Sequence, residues 1–298
     1  MSRPRVSVIM PAFNTEPYIA AAIASAQAQT VRDIEVVVVD DGSRDGTLAA
    51  ARHAAEGDPR VRVWTQTNAG PSAARNLAMA HATGDVFAFL DSDDEWMPGF
   101  LDYQLAALGR HPRASIVTAN AINRGGVLDG RPYRALRPED HALSLVEIIE
   151  REDSVCIHSL FSRAVYDAIG PMAEALRANE DYEFWLRAAR GGFEFVQTFE
   201  PLAYYRRRPD SASVDERKMV TGILRVFAMA RPLARTPEET LAVDAQIARF
   251  ERELRQIERR AKMKALASKH APRLLSLAIQ ARRAILRLTV ARAGTGHV

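Results

Sequence analysis

"IEVVVVDDGSRDGTLAAARHAA", residues 34–55, decides the fold. Its opening run carries four consecutive valines and no polar alternation. A strand that is apolar on both faces suits the centre of a parallel sheet covered by helices on both sides. Asp40, Asp41 and Gly42 then stop the strand, and the alanine-rich run from Thr47 reads as a helix.

The neighbouring segments repeat the unit. "VSVIMPAF" (6–13) reads as a buried strand with Pro11 as a stop. A helix follows in "TEPYIAAAIASAQAQ" (15–29), with Thr15 as its N-cap and Pro17 in its first turn. "RVRVWTQ" (60–66) and "DVFAFLD" (85–91) read as strands, with the helix "PSAARNLAMAHA" (71–82) between them. This alternation predicts a right-handed, mostly parallel α/β sheet in roughly the first hundred residues.

Composition narrows the class. The chain has 298 residues, 47% hydrophobic and 26% charged, enough for a sizeable core and against global disorder. A single cysteine, Cys156, excludes an intramolecular disulfide and reads as a small buried hydrophobe in a reducing compartment. Residues 1–10 do not read as a signal peptide, and no window has the length of a membrane span. Residues 259–298 hold ten Lys and Arg and no Asp or Glu, so the other 258 residues carry a net −7 against +3 for the whole chain.

In open sheets of this kind, ligands bind beyond the carboxyl ends of the strands. Three strands here end in chemistry: Pro11-Ala12-Phe13-Asn14, Asp40-Asp41-Gly42-Ser43, and Asp91-Ser92-Asp93-Asp94. Each alone is explained by helix capping or solvation. Two acidic clusters at strand ends of one sheet are not. Asp-x-Asp offers hard oxygen ligands suited to Mg²⁺ or Mn²⁺. No G-x-G-x-x-G follows the first strand and no G-x-x-x-x-G-K-[ST] occurs, so a dinucleotide-binding Rossmann domain and a P-loop ATPase are disfavoured. A phosphoacceptor receiver domain is disfavoured too, because the first strand ends without paired acids.

"VSVIMPAFN", "VVVVDDGSRDGT", "NAGPSAARNLAMAHATGDVFAFLDSDDEWMPG" and "NEDYEFWLRAAR" stand in the order and spacing of family 2 glycosyltransferases, which this chain resembles over about residues 5–210. The resemblance implies a GT-A fold, a Rossmann-like mostly parallel sheet flanked by helices, followed here by a C-terminal helical region. It implies a catalytic domain over 1–214, with a nucleotide-binding half to about 98 and an acceptor half over 99–214, and a basic helical region over 215–298. The implied activity is inverting, hexosyltransferase-type transfer from a nucleoside diphosphate sugar, most commonly a UDP-sugar, to an acceptor hydroxyl of a glycan or lipid-linked glycan in cell-envelope polysaccharide biosynthesis.

The resemblance also assigns roles. Pro11, Ala12, Phe13, Asn14, Glu16 and Asp41 would bind the nucleotide, with Asp41 accepting from a base N–H. Arg75, Asp91 and Ser92 would approach its ribose, base or phosphates. Asp93, then Asp94, then Asp91 would hold Mn²⁺ or Mg²⁺. Asp181 would be the general base, with Glu180 beside it. The chemistry agrees: the leaving diphosphate builds charge that a metal stabilises, and inversion needs a base on the opposite face. Trp185 lies one helical turn beyond Asp181, where it can pack in the core or floor a sugar site.

One departure stands out. "YYRRRPDSAS" carries Arg208 where the family often has histidine. Arginine cannot ligate a metal but binds phosphate bidentately, so Arg208 is expected at the diphosphate. His158 reads as a partly buried structural histidine. "NRGGVLDGRPYRALRPED" (123–140) reads as a long loop, either a lid or acceptor contact or a passive excursion.

Thr236-Pro237-Glu238-Glu239 is a strong helix start. "PRLLSLAIQARRAILRLTVAR" (272–292) is basic and amphipathic, suited to an anionic membrane surface or to packing on protein. The tail has no aromatics to stack on bases, so nucleic acid is not an expected partner. The expected localisation is cytoplasmic, peripheral at the inner face of the plasma membrane; a homo-oligomer stays open. A non-catalytic nucleotide-sugar-binding or assembly protein on the same fold is the alternative.

Overall fold

The computed structural model describes the backbone of residues 5–208, 211 and 214–293, and side chains within that set up to residue 266. The first half alternates as its sequence predicts: β1 (Val6–Ala12), α1 (Ile19–Gln27), β2 (Ile34–Asp40), α2 (Thr47–Ala55), β3 (Val61–Thr65), α3 (Pro71–His81) and β4 (Val86–Phe89). All four strands are parallel, in the order β3-β2-β1-β4. Val36–Val39 are fully buried in β2. Burying each such side chain stabilises the fold by about 1.5–3 kcal/mol.

Two local starts differ from expectation. Pro11 does not end β1, which runs on to Ala12 beside Asp40. Pro11 has the parity of Ile9, whose carbonyl accepts from Leu90 N at 3.1 Å, and β4 pairing ends there. The missing N–H therefore costs no ladder bond. Helix α1 begins at Ile19, not at Thr15. Thr15 instead accepts through its carbonyl from Tyr18 N and Ile19 N, at 2.9 and 3.0 Å, while its hydroxyl donates to Ser92 Oγ at 3.0 Å.

The second half completes the sheet with β5 (Glu95–Trp96), α4 (Phe100–Arg110), β6 (Ala114–Arg124), β7 (His141–Leu143), α5 (Leu145–Glu150), β8 (Ser159–Ser162), α6 (Arg163–Ile169), α7 (Glu180–Arg190) and β9 (Glu194–Arg206). The sheet continues from β4 through β8, β6 and β9 to β5, and β7 pairs with β9. Strand β8 is antiparallel to β4, and β5 is antiparallel to β9. Residues 91–94 are thus strung between two strands that second-half partners hold.

The 123–140 loop folds back on the end of β6. Gly130 N donates to Asn123 O at 2.8 Å, Tyr133 N donates to Ala121 O at 2.7 Å, and Arg134 is buried beneath. Trp185 is fully buried among Phe89, Phe161, Phe184 and Phe195, so it packs the core. Cys156 is buried as expected, and burial pushes its thiol up to about 11.

Helix α8 (Glu216–Ala230) buries Val220, Ile223, Val226 and Phe227. The last helix, α9, spans Pro237–Ala293; Thr236 Oγ1 accepts from Glu239 N at 3.1 Å, as the capping pattern predicts. The chain divides into compact units Met1–Ala248 and Arg249–Val298, beyond the expected 214/215 boundary. The apolar face of α8 packs inside the first unit, and Gln246 Nε2 donates to Glu150 O at 3.1 Å. In the second unit Arg255 pairs with Glu251 one helical turn away, at 3.5 Å. The side chains of the expected basic amphipathic face, 272–292, lie outside the described residues. No helix among the described residues is long and apolar enough to cross a membrane.

Candidate active site

A cleft of about 390 Å³ opens where β1, β2 and β4 end. Pro11, Ala12 and Phe13 line it from the end of β1, and Phe13 is 41% exposed there, an aromatic face left open to a ligand. Asn14 and Glu16, expected beside them, are not among its lining residues; their side chains hold the turn at 44–46. Asn14 holds a left-handed φ of 52°, its Oδ1 accepts from Arg44 N at 2.9 Å, and Glu16 Oε2 accepts from Gly46 N at 2.9 Å.

Asp41 lines the cleft from the end of β2. Its Oδ1 accepts from Gln66 Nε2 and Ala69 N, and its Oδ2 from Asn68 Nδ2 and Gly70 N, at 2.8 to 3.1 Å. One buried carboxylate therefore fixes the 66–70 turn that brings Asn68, Gly70, Pro71 and Ala74 into the cleft. Gly42 next to it has φ +67°, and a Cβ there would stand 2.9 Å from Asn68 N, so the close approach of the two loops requires glycine.

Arg75, on the first turns of α3, joins two distant parts of the chain. Its Nη2 donates to Asp91 Oδ1 at 2.7 Å and its Nη1 to Glu180 Oε1 at 2.9 Å. Burial alone would lower the arginine's pKa, but Asp91, Glu180 and Asp181 outweigh it and hold the charge firmly. Arg75, Asp91, Ser92 and Glu180 all line the cleft.

Asp91, Asp93 and Asp94 offer one carboxylate oxygen each within 4.8 Å of one another. Burial first, then Asp94 and Asp91, push Asp93 up to about 7, with Arg208 opposing. Asp94 is also raised, by burial first, with His158 opposing. Such crowded, desolvated carboxylates favour either protons or a cation, and three hard oxygens fit Mg²⁺ or Mn²⁺. The three differ in outlook. Asp93 and Asp91 line the cleft; Asp94 is 2% exposed, its Oδ1 accepts from Arg206 N at 2.7 Å, and its Oδ2 lies 3.1 Å from His158 Nε2. His158 is fully buried behind the acidic loop. Glu95 turns away to Arg124 and Arg206.

Arg208 lines the cleft with its Nε 2.9 Å from Asp93 Oδ2 and its guanidinium 5.5 Å from the centre of the Tyr18 ring. Asp181, the expected base, stands half-buried next to Glu180 in the first turn of α7 and is not among the residues that line the cleft. Burial and the neighbouring Glu180 push it up to about 6, against Arg75. Asn179 begins this helix at φ 58° and its Nδ2 donates to Met219 O at 2.8 Å. Sequence reading missed Thr15, Arg177, Ser211 and Lys218, which also line the cleft. Asn68, Gly70, Pro71 and Ala74 were signalled by the "NAGPSAARN" motif, whereas nothing local marks Arg177 or Lys218.

Known proteins share the family and the fold of this chain. The model of glycosyl transferase family 2 matches residues 7–170. A Bacillus subtilis protein named as a teichuronic acid biosynthesis glycosyltransferase, TuaG, is 30% identical over 72% of this chain and 84% of its own length. The B. subtilis glycosyltransferase EpsE is 31% identical over 74% of this chain and 79% of its own. The match to an uncharacterized glycosyltransferase of Haemophilus influenzae is 42% identical but spans only 32% of this chain and 38% of that protein. Among solved structures, S. aureus TarS 1–349 in complex with UDP-GlcNAc superposes with a TM-score of 0.64 at 22% identity, covering 83% of this chain and 71% of that one. The mannosyltransferase PcManGT from Pyrobaculum calidifontis, in complex with GDP-Man and Mn²⁺, gives 0.65 at 21% identity, covering 96% of this chain and 81% of that one. At those identities the structures establish the shared GT-A-type fold, and the sequence match carries the rest: the chain belongs to glycosyl transferase family 2.

Proposed function

We propose that the protein transfers a sugar, with inversion, from a nucleoside diphosphate sugar to an acceptor hydroxyl of a glycan or lipid-linked glycan. The observation that carries this reading is the meeting, through Arg75, of the acidic loop and the start of α7 at one cleft. Pro11, Phe13 and Asp41 form the part of the cleft that receives the base. Asp93 and Asp91, with Asp94 behind them, are the residues that would hold Mg²⁺ or Mn²⁺. A bound divalent ion would supply charge stabilisation for the departing diphosphate. Arg208 and Arg75 add fixed positive charge beside the same phosphates.

Asp181 takes the acceptor's proton. Its raised pKa of about 6 leaves it ionised at neutral pH and more basic than an ordinary aspartate. Glu180, held by Arg75, keeps the base's neighbour ordered and the start of α7 in place. A UDP-sugar is the first donor to test, given the UDP-GlcNAc complex of TarS, and the GDP-Man complex of PcManGT makes GDP-sugars the second. The name of TuaG, for teichuronic acid biosynthesis, supports a cell-envelope polysaccharide as the product. Work at the inner face of a membrane rests on the ten Lys and Arg of residues 259–298.

Donor hydrolysis measured with UDP- and GDP-sugars and Mn²⁺, on the wild type and Asp181→Asn, tests the reading. Donor-dependent turnover that Asp181→Asn removes supports it. Tight donor binding with no turnover on any acceptor favours a binding protein instead.

A further inference from the structure

Beside the donor cleft lies a second cavity of about 290 Å³, which the proposed reaction leaves without a role. It is lined by Leu176–Ala178, before α7, and by Thr221 and Gly222 of α8. Four cations rim it: Arg177, Arg217, Lys218 and Arg225. Among the described residues that line it, Asp215 is the acid, and it caps α8, its Oδ1 accepting from Lys218 N at 2.9 Å. This concentration runs against a background of net −7 over residues 1–258.

Two features tie the cavity to the reaction. Arg177 and Lys218 line both the cavity and the donor cleft, so the two form a continuous cationic track. Arg177 is held in this position, with Nη1 donating to Ala69 O while the guanidinium lies against Gly70. The lining segment 176–178 also leads directly into the base. Ala178 precedes Asp181 by three residues, which sets an upper limit of about 10 Å of chain between them. Gly222 lets α8 approach this segment: a Cβ there would stand 3.0 Å from both Ala178 Cβ and Ala178 O.

We infer that this cavity binds an oxyanion, phosphate or carboxylate, carried by the acceptor substrate close to its reacting hydroxyl. Arginine forks match either group, and both are strongly attracted to a cationic rim. The proposed function already assigns Arg75 and Arg208 to the donor phosphates, so the second cluster is assigned to the acceptor. This assignment deepens the glycosyltransferase reading and rests on it for the word acceptor.

The test is a titration of the ¹⁵N-labelled full chain, with the cleft filled by UDP and Mg²⁺, using glycerol phosphate, glucuronate and glucose as probes. The amides of Thr221 and Gly222 should shift with an anion and not with glucose. Arg217→Ala/Arg225→Ala should raise the dissociation constant about tenfold or more, while Arg217→Lys/Arg225→Lys retains binding. A response to glycerol phosphate alone identifies a phosphorylated acceptor, and a response to glucuronate alone a uronic acid. Absence of shifts with either anion, or equal binding by the alanine double variant, overturns the inference. Failure of UDP to bind counts against the donor reading instead; the same titration without nucleotide then decides the cavity by itself.

Discussion

Arg208 Nε stands 2.9 Å from Asp93 Oδ2. A carboxylate of the acidic loop that lines the cleft is thus already paired with a cation that lines it too. A divalent ion on Asp93 would displace this one contact and let the guanidinium serve the diphosphate instead. Arg208→Ala should weaken UDP binding in the presence of Mn²⁺ by about tenfold, the value of one charge-assisted hydrogen bond. Calorimetric titration measures this; unchanged affinity removes Arg208 from the diphosphate site.

The raised pKa of Asp93, about 7, makes metal binding a competition with protons. Affinity for Mn²⁺ should rise about tenfold per pH unit up to about 7 and then level off. The same shift predicts stability. A carboxylate whose folded pKa lies above its unfolded value stabilises most at low pH and loses that contribution as pH rises through 7. Without metal, the melting temperature should fall across this window, and saturating Mg²⁺ should abolish the fall. Melting curves from pH 5 to 8, with EDTA and with Mg²⁺, check both parts; identical slopes would disconnect the acidic loop from metal.

Asp181 is not among the residues that line the cleft, so Asp181→Asn should leave UDP affinity nearly unchanged while turnover drops by about 10²–10⁴-fold. In the wild type, kcat/KM should fall on the acid side with an apparent pKa near 6. A pH profile flat between 5 and 8, or equal loss of donor binding, would reassign the base.

Arg75 is nearly buried and holds both Asp91 and Glu180, which are only partly screened by water. Arg75→Ala leaves two carboxylates facing one another. The cost should be about 2–3 kcal/mol, below that of a fully buried pair because Asp91 keeps some solvent. Arg75→Lys restores the charge but reaches both partners poorly, so it should recover only part of the loss. Urea denaturation at neutral pH gives the numbers.

Gly222 is the smallest side chain α8 can present to the turn before the base. A Cβ there would lie 2.6 Å from Asn179 Nδ2, which donates to Met219 O. Gly222→Ala should break that bond and shift the start of α7, lowering stability by about 1–3 kcal/mol and turnover with it. Thermal melts and donor hydrolysis on the same preparation test it.

Much of this was legible locally. The four valines of β2 and the acids at strand ends are readable within a few residues of themselves, whereas the bridge of Arg75 to Glu180, 105 residues away, is not. What was not legible depends on long-range contact. Thr15 reads as a cap until Ser92, 77 residues away, takes its hydroxyl. Asp94 reads as the second metal ligand after Asp93 until β9 and His158 enclose it. Arg177 and Lys218 sit in ordinary charged sequence and reach the cleft only because α8 packs beside the start of α7. The antiparallel insertion of β8 beside β4 likewise leaves no periodic trace in either strand.

The pairing of β5 with β9 also sets a schedule. Asp94 is 112 residues ahead of Arg206, the backbone donor that holds it. At a synthesis rate of about 5–20 residues per second, a growing chain carries its acidic loop for roughly 6–22 s before that partner exists. A nascent protein can therefore complete β1 to β4 while its acidic loop still lacks the partner that fixes Asp94.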